Sequence, residues 1–405
     1  MSGCQDLDQQ PVKVRTSCGN VWRLQKRSVT NSEIFHEETL QFGGRLQRER
    51  VPDKVRKFYE ETEGSAQDLI MSARAVVPNA PEIHVDFILN GKINALAFKS
   101  HDRYFIGIYT GTLFMLRSVI GRMLSDARLL RYAGDVKLER GDLGSLAGYV
   151  PDADVMYKKE SLYTPMDPVR CKYAAFLQHH AILFLVGHEL THVLHGHIDY
   201  LREKRGELFT AELEWVGNRD EEERIERQCL ELDADRRSIS SRIDSLRVTV
   251  NSGRAGIAPW RTNQEDPGLM IFDWAISLNI LFRLFGDLRF SQVEPDRSAY
   301  PPLALRRSIC EASACEAIDF LWAPSLYKLA IRALFVARME TELSFAKMLG
   351  EKFVVDQVRQ PIPQIELDHT DKLMKYWNET VCDRLKPFSY EQYPSSVLNP
   401  ESKSI

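Results

Sequence analysis

Apolar and polar positions along this chain change period several times. From Glu82 the segment Ile83-His84-Val85-Asp86-Phe87-Ile88 alternates, and Ile93 to Phe98 and Tyr104 to Tyr109 add two more short strand patterns. Asn90-Gly91 lies between the first two and is a tight-turn signal, so they read as a hairpin within a small, mostly antiparallel sheet. Beyond Thr110-Gly111 the period becomes helical: Leu113, Leu116, Ile120, Leu124 and Leu129 predict a helix over 112–133. Residues 134–170 hold Gly, Asp and Pro clusters and read as a long loop, of a kind that often shapes a cleft beside a catalytic helix.

Tyr173 to His197, YAAFLQHHAILFLVGHELTHVLHGH, is mostly apolar and free of proline, as a helix buried through a domain should be. A charged helical stretch follows over 211–248, with the run Asp220 to Arg227 read as a solvated face. Leu269 to Phe285 is an apolar, aromatic helix stopped by Gly286, and two further helices are expected over 303–320 and 325–350. Pro361, Pro363, Pro387, Pro394 and Pro400 leave one helix near 371–385. The expectation is a mostly helical α+β protein: an N-terminal arm or cap over 1–60, a principal domain over 61–350 and a C-terminal extension over 351–405. The basic stretch Arg45 to Arg56 belongs to the arm; a docking segment is its functional alternative.

Inside the apolar helix sits His188-Glu189-Leu190-Thr191-His192. Histidines four residues apart project from one helix face and can share a metal ion, with Glu189 pointing toward it. Catalytic zinc takes three protein ligands and keeps one position for water. Glu231, which opens Glu231-Leu232-Asp233-Ala234-Asp235 on a second helix, is the best third ligand. Asp235 lies one turn on, placed to hydrogen-bond a ligand histidine and raise its basicity. Glu189 remains as general base. The cofactor expected is therefore Zn2+, and the role that of a hydrolase. The longer signature with glycine at 195 and a ligand histidine at 198 is not met, because the chain has His195 and Ile198. His197 reads as a residue supporting the site or the fold, and His179 and His180 as ordinary helix residues.

Composition changes this picture little. Hydrophobic residues make up 44% and charged residues 27%, the balance of an ordinary globular chain. A net charge of −4 spread over many groups gives no reason to expect a nucleic-acid partner. The N-terminus lacks the apolar core of a secretory signal, and the uncharged run Ala181 to Gly187 is far too short to span a bilayer. Seven cysteines without a C-x-x-C pair fit reduced thiols. A cytoplasmic location without membrane attachment is the expectation. Cys229, near Glu231, reads as a packing residue on another helix face.

HELTHVLHGH followed by ELDAD resembles the gluzincin peptidases, zinc enzymes whose third ligand is the glutamate of an E-x-x-A-D helix. Asn94-Ala95-Leu96-Ala97-Phe98 resembles their N-A-F-A strand, and RYFIGIYTGTLFML the strand-to-helix unit after it. Tyr300-Pro301-Pro302-Leu303-Ala304-Leu305-Arg306 is similar to an H-P-P-x-x-x-R element, with tyrosine where histidine is usual. Within this group the chain looks most like the Lit-type phage-exclusion metallopeptidases. The resemblance covers about 80–310 and implies a minigluzincin-like fold, a small sheet packed on a helical zinc-peptidase core. It also implies an intracellular metalloendopeptidase acting on a protein, with a possible place in phage defence. It offers Arg306 or Tyr300 as the donor that stabilises the oxyanion, and Asn94 and Ala95 as part of an exposed edge strand that holds the substrate. Two alternatives stand beside it: a zinc-fold regulatory or partner-binding module that cuts little or nothing, and a hydrolase of small amides.

Overall fold

The three strand patterns and one later segment build the sheet that borders the site. The computed structural model describes residues 11–16, 19–24, 29–146, 153, 162–207, 209–211, 220–252, 266–286 and 300–391. The N-terminal strands β1 (Pro11–Thr16) and β2 (Gly19–Leu24) pair antiparallel as a two-stranded ribbon. Helices α1 (Asn31–Thr39) and α2 (Asp53–Val76) follow, so the boundary expected at residue 60 falls inside one continuous helix. Strands β3 (Ile83–Ile88), β4 (Ala95–Ser100), β5 (Arg103–Tyr109) and the short β6 (Phe209–Ala211) then form a mixed sheet of order β3-β5-β4-β6.

The expected hairpin across Asn90-Gly91 is not formed. β5 lies between β3 and β4, parallel to the first and antiparallel to the second. Asn90 is held elsewhere: its side-chain amide donates to the Phe42 carbonyl at 2.8 Å, and its own carbonyl accepts from Gly111 N at 2.8 Å. The tight turn falls instead at His101 and Asp102, whose φ values of 48° and 56° suit a primed turn that follows the twist of the flanking strands. Alternation along the strands divides two cores. Ile83, Val85, Phe87, Ala95, Ala97, Ile106 and Ile108 face the main helical core, whereas Ile88, Leu96, Phe98, Phe105 and Tyr109 pack with Ile34 and Phe35 of α1. A parallel pair needs both faces covered, and α1 supplies the second cover. The basic stretch is engaged internally: Arg45 and Arg48 both pair with buried Asp86, and Arg48 also with Glu63.

Helix α3 (Thr110–Ser125) ends eight residues before the predicted Ala133. Arg170, fully buried, explains the stop. Its guanidinium donates to the carbonyls of Leu124, Leu129, Leu130 and Ala133 at 2.7, 3.0, 2.9 and 2.8 Å, so these carbonyls are not free for a helical ladder. Arg170 itself sits in the first turn of α4 (Pro168–Leu194), which Asp167 caps through the Arg170 amide and Pro168 pre-orders. The predicted continuation to His197 is broken at Gly196, φ 76°, where a Cβ would lie 2.4 Å from the Phe388 backbone; α5 (His197–Arg205) then starts in a new direction.

The second site helix, α6 (Glu221–Asn251), is capped by Asp220 and starts ten residues after the predicted Ala211, which belongs to β6. Only the start of the run 220–227 is solvated; Ile225, Glu226 and Arg227 are buried, correcting the solvated-face reading for that turn. Helices α7 (Pro267–Phe285), α8 (Leu303–Ala317), α9 (Tyr327–Leu349) and α10 (Gln364–Tyr376) complete the body. By length and composition α7 could cross a membrane, but it is mostly buried between α4 and α9. After α10 a π turn, Trp377–Val381, leads into Cys382–Leu385, and this C-terminal stretch packs on α6. The Cys229 thiol donates to the Leu373 carbonyl there, at 3.4 Å, among apolar side chains.

The approach of α4 to α6 fixes the site. A Cβ on Gly187 would lie 2.7 Å from the Ser238 hydroxyl, and that hydroxyl donates to the Phe184 carbonyl at 2.8 Å. Without a side chain at 187, α6 comes close enough to bring Glu231 beside the next residue, His188.

Candidate metal centre

His188, Glu189 and His192 lie within the buried part of α4, and Glu231 faces them from α6. The two imidazoles point at one another: Nε2 of His188 and Nε2 of His192 are 3.0 Å apart. Glu231 approaches both, with Oε2 at 3.3 Å from His188 Nε2 and Oε1 at 3.7 Å from His192 Nε2. Ligands about 2.0–2.1 Å from a tetrahedral ion are separated by roughly 3.3 Å. The three spacings bracket that edge length, so these residues form a buried group able to hold a metal ion.

Each histidine is held from behind at its other nitrogen. Nδ1 of His188 meets Asp235 Oδ1 at 2.9 Å, and Arg306, fully buried on α8, donates Nε to Asp235 Oδ2 at 2.8 Å and Nη2 to Oδ1 at 2.7 Å. Burial alone would raise the Asp235 carboxyl pKa, but Arg306 and His188 outweigh it and hold the group below its ordinary value. Asp235 thus presents a carboxylate that fixes the His188 tautomer and leaves Nε2 as the ligating atom.

His192 is supported through a longer relay. Its Nδ1 meets Nδ1 of His197 at 2.9 Å, and Nε2 of His197 meets Asp233 Oδ2 at 3.1 Å. The same carboxylate oxygen bonds Nδ1 of His195, whose Nε2 lies 3.3 Å from Glu391, and Glu391 pairs with Arg237. Burial pulls the His195 pKa down, yet Asp233 and Glu391 outweigh it and raise the value to about 9. His192 is driven well below its ordinary pKa by burial first, then by the proximity of His188, His197, Arg227 and Arg306. A neutral imidazole is the form that binds a metal. His195, His197 and Asp233 also converge closely enough to be a second group able to hold an ion, although one Asp233 oxygen serves both rings in a hydrogen-bonding arrangement.

The remaining expected residues are placed differently. Arg306 spends Nε and Nη2 on Asp235 and so holds that carboxylate behind His188. Tyr300 is half-buried, within electrostatic reach of the Arg227 guanidinium. Asn94 and Ala95 are buried, not exposed at an edge. The Asn94 amide donates to the Thr112 hydroxyl at 2.8 Å, while its carbonyl accepts from that hydroxyl and from Tyr109 N, so its backbone groups bind the β5–α3 junction. Along Leu96 to Phe98, the outer side of β4 is paired with β6.

Sequence reasoning passed over Asp233, Arg227, Gly187 and Glu391. Asp233 had a visible signal, a second acid inside ELDAD together with the unassigned His195 and His197. The other three are defined by contacts between distant segments and left no local signal. Comparison of the chain with protein-family models, with curated proteins and with solved structures finds no match in any of the three.

Proposed function

We propose that this chain is a zinc-dependent peptidase of gluzincin type, hydrolysing a peptide bond in a protein substrate. The observation that carries the reading is the convergence of His188 Nε2, His192 Nε2 and the Glu231 carboxylate at spacings that suit one tetrahedral ion, with Glu189 beside His188 in the same buried turn. Two imidazoles and one carboxylate are the donor set of a catalytic rather than a structural zinc site. When bound, zinc supplies Lewis-acid polarisation and lowers the pKa of a coordinated water to about 7.

The chain's own residues do the rest. Asp235, clamped by Arg306, and His197, backed by Asp233, fix the Nδ1 positions of the two histidines and leave their Nε2 lone pairs for the ion. Glu189 accepts the proton of the attacking water and returns it to the leaving amine. A base with that duty separates a peptidase from a pure binding module, which has no use for it. Tyr300 remains the candidate donor to the developing oxyanion.

The test is elemental analysis of the purified protein, its Glu189→Gln variant and its His192→Ala variant, with hydrolysis of a mixed peptide library assayed beside each. One zinc in the first two and none in the third, with cleavage lost in Glu189→Gln, is the expected pattern. Cleavage in Glu189→Gln equal to that of the parent, or no bound metal in the parent, would refute the proposal.

A further inference from the structure

Arg227 lies one turn before Glu231 on α6 and is 4% exposed. A buried guanidinium requires an anion, and two carboxylates serve this one: Glu207, with which it forms an ion pair, and Glu231, which lies within its electrostatic reach. Glu207 lies just past the end of α5, and two residues later the chain enters β6. β6 pairs antiparallel with β4, with Leu96 opposite Ala211, Ala97 opposite Thr210 and Phe98 opposite Phe209. One short stretch of chain therefore makes two attachments, a carboxylate on a buried arginine beside a metal ligand and a strand added to the sheet next to α4. A site that holds an extended peptide uses the same two devices, main-chain pairing for affinity and a side-chain contact for selection.

We infer that Glu207 and the strand Phe209–Ala211 occupy the place of a substrate, and that the site takes an extended peptide with an acidic side chain two residues ahead of its strand-pairing part. The inference rests on the peptidase reading and names the substrate class and the restraint on that site. Arg227 is then the specificity residue, reading the carboxylate of the incoming peptide as it now reads Glu207. In this conformation β4 and Arg227 are both engaged, so a substrate binds by displacing the internal segment. Tethering gives that segment an effective concentration on the order of millimolar, which holds the site closed to weak competitors.

The test uses the full chain carrying Glu207→Gln, Thr210→Pro and Ala211→Pro. Adjacent residues of an antiparallel strand alternate in donating to the partner, so one of two neighbouring prolines removes a ladder N–H. The probe is a labelled peptide with the sequence of residues 207–211, followed by fluorescence anisotropy, alongside hydrogen exchange at the Ala97 amide, which points to β6 because the bond from Tyr109 N to Asn94 O turns the amides of 96 and 98 toward β5. In the parent the Ala97 amide should be protected and the peptide should not bind. In the triple variant it should exchange about tenfold faster and the peptide should bind, with replacement of its glutamate by glutamine weakening binding about tenfold, the worth of one charge-assisted hydrogen bond. Arg227→Met in the triple variant should match that loss; the glutamine peptide leaves the protein untouched and decides the matter if Arg227→Met does not fold. Unchanged exchange at Ala97, or binding indifferent to the peptide's charge, overturns the inference. These readouts need no hydrolysis. If the metal-loaded protein cuts nothing, the peptidase reading fails while the binding results stand or fall by themselves.

Discussion

Replacing Arg306 with methionine removes the guanidinium that grips Asp235 through two hydrogen bonds of 2.7 and 2.8 Å and leaves a fully buried carboxylate facing only His188. Breaking a buried ion pair from one side costs about 3–5 kcal/mol, because the remaining charge has neither partner nor water. For a chain of 405 residues the unfolding entropy at Tm is about 0.85 kcal/mol/K, so each kcal/mol shifts Tm by roughly 1.2 °C and a fall on the order of 5 °C is expected in the metal-free protein. Adding Asp235→Asn should restore much of that loss: the amide carbonyl still accepts from His188 Nδ1, and no charge is left uncompensated. The assay is thermal unfolding of the parent, both single variants and the double variant, in chelator. A drop in Arg306→Met of no more than about 1 °C, in the range of an ordinary surface change, would refute the account of Arg306 as the anchor of Asp235. So would a double variant no more stable than Arg306→Met.

Four other outcomes are expected. Asp233→Asn should weaken metal binding about 10–100-fold in a competition titration without removing a ligand, since it slackens His197 behind His192; an unchanged affinity would cut the relay out of the site. Gly187→Val should push α6 from α4 at Ser238, costing about 1–3 kcal/mol in denaturant unfolding and lowering metal affinity as Glu231 retreats; normal stability and affinity would show that the close approach is not needed. His188→Ala should lose bound metal in elemental analysis, and retention of one equivalent would remove His188 as a ligand. The folded pKa of His195, raised from 6.5 to about 9, gives a stabilising contribution complete below about pH 6.5 and lost as pH rises through about 9. Protection around Ser389 to Glu391, meaning exchange corrected for its base-catalysed intrinsic rate, should therefore fall over that window where Tyr390 N donates to Leu194 O at 2.8 Å, and the fall should shrink in Glu391→Gln, with Asp233 still holding His195; a flat protection profile in the parent would contradict the assignment.

The sequence by itself determined which two histidines can share an ion. His188 and His192 share a helix face whatever surrounds that helix, because i, i+4 geometry is local, and the long apolar pattern around them required a buried helix. The strands were legible for the same reason, since period-2 alternation is a property of the strand alone. Their pairing was not: Asn90-Gly91 carries a turn signal, but bonds to Phe42 and Gly111 from two other elements override it. The end of α3 was hidden likewise, being set by an arginine more than forty residues away whose fork claims the carbonyls. The motif around residue 306 offered it, with Tyr300, as an oxyanion donor and did not say which anion its guanidinium grips. Which anion a guanidinium faces depends on how α8 docks against α6, and docking placed Asp235 there. In the same way only the packed chain could show that Arg227 leaves a charged run to lie buried against Glu207, and that β4 already carries a strand. Periodicity and spacing encode what one element does alone; partners across elements follow from burial and close approach, which exist only once the chain has folded.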